Sequence, residues 1–353
     1  MNHAFPLPCP AGGPARPKRV EKTVRSSLVH ALATLGVVAW AIWGAEFAPG
    51  RPLRAEEPAP RRGAGPLLAE AEDAEAGGDR VEFLRLSKDR KGRPAALETS
   101  IVRYRESSAA ARRAGRSEPV EVDLVGAVHL GGKAYYDTLD RIFEDYDAVL
   151  YELVAPDHAR VPKRGGKPSG AIGGAQQGLT KMLGLEFQLD RIDYTAPNFV
   201  HADMSPQEFE AAMAKRGESW WSMFLRVLRE GSERAERGRP TGPEVGIGDL
   251  WGLFFGQGRE IRLRRIMAEQ FTDMEVLTAA FGGEEGSSLI TDRNGAALEV
   301  LSEQIAAGKT RLAIFYGAAH MDDFDRRLRQ DFDMEPEEVE WIEAWDLRMP
   351  GEK

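Results

Sequence analysis

A hydrophobic strand, then Gly-x-x-His, then a helix: this order occurs twice in the chain, and it limits the possible folds more than any other feature. The first copy runs through β-forming residues at 120–128 and ends in Gly126-Ala127-Val128-His129. The second starts at Arg311 and ends in Gly317-Ala318-Ala319-His320. A helical face with Tyr136, Leu139, Phe143 and Tyr146 follows the first, and one with Phe324 and Leu328 follows the second. No longer repeat accompanies them, so the pair is a local echo and not a repeat array.

Other segments fill in the frame. Strand-like runs fall at 81–86, 99–104 and 148–154, the last interrupted only by Glu152. A final strand places Val339, Trp341, Trp345 and Leu347 on one face at period two. A Gly/Lys/Pro loop at 162–170 leads into a stretch that reads as helical, with short breaks, from about 174 to 308. Trp220, Trp221 and Phe224 lie there at helical spacing, a pattern of core packing more than of a substrate platform. The expected fold class is therefore α/β (α+β): a central mixed sheet from N- and C-terminal strands with a large helical insertion.

The amino-terminal region divides from this domain. Arg16, Lys18, Arg19, Lys22 and Arg25 precede an uncharged apolar run at 28–45, about the lower length limit for a spanning helix. Positive charge before a long apolar run is an export signal. Residues 1–48 are thus expected to act as a signal or membrane anchor, and the Ala/Pro/Glu/Gly-rich residues 49–79 as a disordered linker. Residues 80–353 form the folded domain, placed outside the cytoplasm. With a net charge of −9 the chain carries no basic footprint for nucleic acid. Its single cysteine, Cys9, leaves metal ligation to His, Asp and Glu.

Those residue types converge on three positions. His129 and His320 each lie just past the carboxyl end of a strand, where open α/β sheets place their ligand sites. Glu152 lies in an apolar run, and a carboxylate there must be paired, protonated or bound to a metal. An ion pair with a buried arginine is the competing reading. Two imidazoles and a carboxylate make an open three-ligand set for metal-assisted hydrolysis, with Glu152 as ligand or as general base. His201-Ala202-Asp203 with His320 also reproduces the string of two-histidine, one-carboxylate iron oxygenases, although a helical middle is the wrong scaffold for that chemistry. Ser205-Pro206 marks a helix start immediately afterwards.

The paired Gly-x-x-His motifs, the Tyr151-Glu152-Leu153 strand and the Asp292-Arg293-Asn294 segment together resemble the TraB/PrgY family, which includes the Tiki-like and GumN-like proteins. The resemblance covers roughly residues 120–330. It implies a peptidase-like hydrolase with His129, Glu152 and His320 at a divalent metal (manganese, cobalt or zinc) and Arg293 nearby. A peptide or protein would be the substrate, and the N-terminal segment would hold the chain at a membrane. Arg293 could stabilise an oxyanion, grip a substrate carboxylate, or simply cap a helix. Asp292 and Tyr316 are candidates for a supporting layer. The alternative is a non-catalytic protein of the same fold that sequesters a peptide, iron or haem.

Overall fold

The computed structural model describes residues 81–161, 178, 180–218, 258–272 and 287–351. The expected anchor and linker, the 162–170 loop and the Trp220, Trp221 and Phe224 helix lie outside the described residues. Among the described residues no helix is long and apolar enough to cross a membrane.

The described strands and helices, in chain order, are β1 (Leu84–Lys88), β2 (Pro94–Glu106), α1 (Ser108–Arg113), β3 (Glu121–Ala127), β4 (Leu130–Gly131), α2 (Lys133–Phe143) and β5 (Ala148–Tyr151). Then come β6 (Glu186–Phe187), α3 (Gln188–Arg191), β7 (Phe199–His201), α4 (Pro206–Lys215), α5 (Arg259–Phe271), α6 (Arg293–Ala306), β8 (Arg311–Gly317), α7 (Met321–Phe332) and β9 (Met334–Asp346). Among the described residues these strands build a seven-stranded mixed sheet in the order β1-β2-β3-β8-β5-β7, with β9 paired to β2. The β3–β8, β8–β5 and β5–β7 pairings are parallel, while β1, β2 and β9 form an antiparallel wing. The fold is thus α/β with a mixed sheet and helices on both faces.

The sheet's two faces are apolar because its inner strands are buried on both sides. On one face Val125, Phe315 and Val149 pack with Tyr136, Leu139 and Phe143 of α2. On the other, Leu124, Ile314 and Leu150 pack with Leu298 and Leu301 of α6 and with Phe324 and Leu328 of α7. The neighbouring strands β3 and β8 therefore send the chain to opposite faces, to α2 and α7 respectively. Such a divergence opens a crevice at the carboxyl ends of the strands.

Three local expectations change. The middle of the chain is not helical throughout, because Phe199–His201 joins the sheet as β7 beside β5. The apolar run at 148–154 stops being a strand at Tyr151, so Glu152 sits just beyond the strand end. In β9 the period-two face fails. Leu97 pairs with Trp345 and Glu98 with Glu343, so Ala344 is an extra residue, a β-bulge that reverses the side-chain phase. Ile342 before the bulge, Ala344 within it, and Trp345 and Leu347 after it are all buried. Val339 is left exposed, and Trp341 lies under the Arg85 guanidinium at 3.9 Å.

Candidate active site at the carboxyl ends of the parallel strands

Each parallel strand delivers a chemically active side chain within three residues of its end: His129 after β3, Glu152 after β5, Asp203 after β7 and His320 after β8. Arg293 and Asn294 join them from the first turn of α6, reached through a five-residue π-helical turn, Ser288–Asp292. A π-turn is rare and often marks a functional site. Here it delivers two consecutive residues into one crevice.

The two motif glycines act differently. Gly126 lies inside β3, where a Cβ would stand 3.4 Å from the Ser100 carbonyl and 3.5 Å from that of Phe83, so its role is close backbone approach. Gly317 serves the site directly, because its N–H donates to Glu152 Oε2 at 2.7 Å.

Glu152 is the hub. Its side chain is only 7% exposed. Arg293 Nη2 donates to its Oε1 at 2.8 Å, and the same guanidinium grips Asp203 through Nε at 3.0 Å and Nη2 at 2.5 Å. Burial alone would raise the Glu152 carboxyl, but Arg293 foremost, then His320 and His129, hold it well below the usual carboxylate range. Burial opposes the charge on Arg293 as well, and Asp203 and Glu152 more than restore it. The buried carboxylate thus has an arginine partner, the competing reading of the sequence. Arg293 Nε and Nη2 are spent on carboxylates, an arrangement that suits positioning Glu152 better than receiving an oxyanion.

His320 is turned by Asn294. The Asn294 amide donates to the His320 carbonyl at 3.0 Å and to Asp323 at 2.9 Å, so its Oδ1 faces His320 Nδ1 at 2.6 Å. An amide oxygen only accepts, so Nδ1 carries the ring hydrogen and Nε2 turns toward Glu152. Nε2 and Glu152 Oε1 are 3.5 Å apart, longer than an ordinary hydrogen bond. A lone pair on Nε2 would face an ionised oxygen, which calls for a cation or a proton between them. Two donors on one tetrahedral ion sit roughly 3.4 Å apart, close to this spacing.

His129 shares the electrostatic field of both groups. Burial pushes it below the ordinary histidine range, against the pull of Glu152, while Arg293 and His320 add to the lowering. Among the described residues no three His, Cys, Asp or Glu side chains are already gathered to hold a metal. The donor chemistry fits a divalent ion at the Glu152–His320 edge, and His129 does not close the set as the side chains stand.

His201 and Asp203 serve elsewhere. His201 Nε2 donates to the Leu153 carbonyl at 2.6 Å, and Asp203 is locked on Arg293 and accepts the Met204 N–H at 2.8 Å. The oxygenase-like string is therefore not an assembled triad. Tyr316 donates its hydroxyl to the Ala202 carbonyl, so it pins the same segment. Asp292 pairs with Arg216 at 2.7 Å. The Ser205 cap is present as expected, with a reciprocal bond to Glu208. Asp203 and Asn294 were named in sequence motifs, but their supporting contacts to Arg293 and His320 were not read there. Their signals were a buried charge needing a partner and an Asn directly after the Arg.

No family model matches the chain, and no curated protein or solved structure does so either.

Proposed function

We propose that the chain is a divalent-metal-dependent hydrolase acting on a peptide or protein outside the cytoplasm, with His320, Glu152 and His129 as the groups that would hold the metal. The observation that carries this reading is the 3.5 Å approach of His320 Nε2 to Glu152 Oε1, two buried groups of metal-ligating type whose spacing suits a shared ion. Electroneutrality points the same way. Glu152, Arg293 and Asp203 sum to one buried negative charge, which a cation would offset. The motif resemblance supports the choice of peptide bonds, and the apolar run at 28–45 supports a membrane-anchored or exported location.

A divalent ion, when bound, would acidify a water and polarise the scissile carbonyl. The chain's own residues do the rest. Arg293 and the Gly317 N–H keep Glu152 ionised and fixed, the state in which a carboxylate can hold the ion. Asn294 keeps His320 in the tautomer that offers Nε2 to the site. The partly exposed Ala318 and Ala319 leave room beside it for a substrate.

The test uses full-length protein purified in detergent, stripped with a chelator and given manganese, cobalt or zinc before a peptide library. Expected is metal-dependent cleavage, reduced at least about a hundredfold in Glu152→Gln. Metal binding without turnover would favour a sequestering protein, and cleavage indifferent to metal would reject the reading.

A further inference from the structure

The two histidines of the crevice are supported in parallel ways, and only one support belongs to a motif. Gln188 is buried at the start of α3, where its backbone N–H donates to the His129 carbonyl at 3.0 Å. That bond continues the short β4–β6 ribbon, which pairs Leu130 with Phe187 and Gly131 with Glu186. The Gln188 main chain is thereby fixed against the His129 loop. Its side chain is fixed too, because Nε2 donates to the Tyr194 hydroxyl at 2.9 Å. That bond orients the amide and leaves Oε1 as the acceptor still to be satisfied. Oε1 is buried, closes no tight hydrogen bond among the described residues, and belongs to a side chain that acts on the His129 imidazole. Tyr194 is itself locked by edge contacts to Tyr151, at 5.0 Å between ring centroids, and to Phe199 at 5.6 Å.

The arrangement parallels that of Asn294 and His320: a buried amide beside a crevice histidine, its NH2 anchored elsewhere and its oxygen left as the free acceptor. Resting on the hydrolase reading above, we infer that Gln188, held by Tyr194, is a positioning residue that presents His129 to the site. Partners of this kind fix the tautomer and orientation of a metal-binding histidine, and their loss typically weakens metal binding about 10–100-fold.

The test titrates full-length protein in detergent with cobalt(II) and follows the ion's visible absorption. Expected is a band in the wild type, weakened affinity in His129→Ala, and an affinity about 10–100-fold weaker with a shifted band in Gln188→Leu. Gln188→Glu restores an oxygen acceptor and is expected to recover most of the affinity, a rescue that a purely structural role would not produce. Wild-type affinity and band in Gln188→Leu, with loss in His129→Ala, overturn the inference and leave the metal reading standing. No cobalt binding by the wild type, or no effect of His129→Ala, overturns both. Should Gln188→Leu not fold, nitrogen-labelled histidine spectra decide the matter. One fixed His129 tautomer in the wild type and a mixture in Tyr194→Phe support the inference, and the same single tautomer in both overturns it.

Discussion

Arg293 concentrates the energetics of the site at the scale of one side chain. It is 3% exposed and neutralises two carboxylates that are themselves almost fully buried. Arg293→Ala leaves both without a cation, a change expected to cost about 3–5 kcal/mol of stability. Arg293→Lys keeps the charge but not the planar fork that reaches Asp203 through two nitrogens, so an intermediate loss is expected. Urea denaturation of the three proteins ranks them, and an alanine variant as stable as wild type would refute the hub role. The histidines and Glu152 set the pH dependence. His129 and His201 are both depressed by burial, so below the unfolded value of about 6.5 the unfolded chain takes up protons that the folded chain refuses. Stability is expected to fall from there by up to about 1.4 kcal/mol per pH unit for each linked proton. Glu152 acts lower: its contribution is complete above the unfolded carboxylate value of about 4.3 and is lost as pH falls through its depressed folded value. Replacing both histidines with Asn should flatten the upper stage and leave the lower one. An unchanged profile would mean their burial does not govern it.

At the scale of the element, the turn from β3 into α2 shows how packing positions chemistry. Gly131 follows His129 by two residues, and a Cβ there would lie 2.8 Å from Tyr135 Cδ1 and 3.1 Å from Tyr136 Cζ. Those rings are fully buried and hydrogen-bonded, Tyr136 to the Val128 carbonyl at 2.8 Å, so they have little freedom to yield. Gly131→Ala is expected to cost about 1–3 kcal/mol by overpacking and to displace His129 with the loop. Equilibrium denaturation together with cobalt affinity measures both effects, and a variant unchanged in each would show that the turn tolerates the shift. Elements of this kind were also the ones sequence patterns could read. Both strand-Gly-x-x-His units emerged because β3 and β8 are runs of β-forming residues and helical periodicity survives in α2 and α7. Strand β7 did not, since three half-buried residues carry no periodicity and are recruited by pairing with β5. The β9 bulge was equally hidden, because one extra residue leaves the composition unchanged while reversing the face. His129, Glu152 and His320 could be chosen from sequence, whereas the pairing of Asp203 with Arg293 and the place of Gln188 could not. Their meaning depends on partners distant along the chain.

Across the whole molecule, the same topology makes the proposed ion a test of the fold. The groups of the crevice come from the ends of β3, β5, β7 and β8 and from the start of α6, so beyond the backbone ladder they are joined by a small set of hydrogen bonds. Arg293 already joins β5 to β7, and Gly317 joins β8 to β5. The β3 end reaches this network through His129, whose partner Gln188 lies on α3 and not on a neighbouring strand. An ion held by His320, Glu152 and His129 would tie the three side chains directly, and it would bind the folded chain far better than the unfolded one. At a free concentration a hundredfold above its Kd, such a ligand adds about 2.7 kcal/mol to stability. For a domain of this size, roughly 2–4 °C per kcal/mol gives a rise in Tm of about 5–10 °C. Chelator-treated protein should therefore melt lower than protein resupplied with one of manganese, cobalt or zinc. The increment should vanish in His320→Ala, which removes a donor, and shrink in His129→Ala, which removes only the β3 tie. Scanning calorimetry on the three proteins provides the comparison. If none of the three ions raises the wild-type Tm, the crevice is held by Arg293 and its neighbouring hydrogen bonds without an ion, and Glu152 is a structural carboxylate.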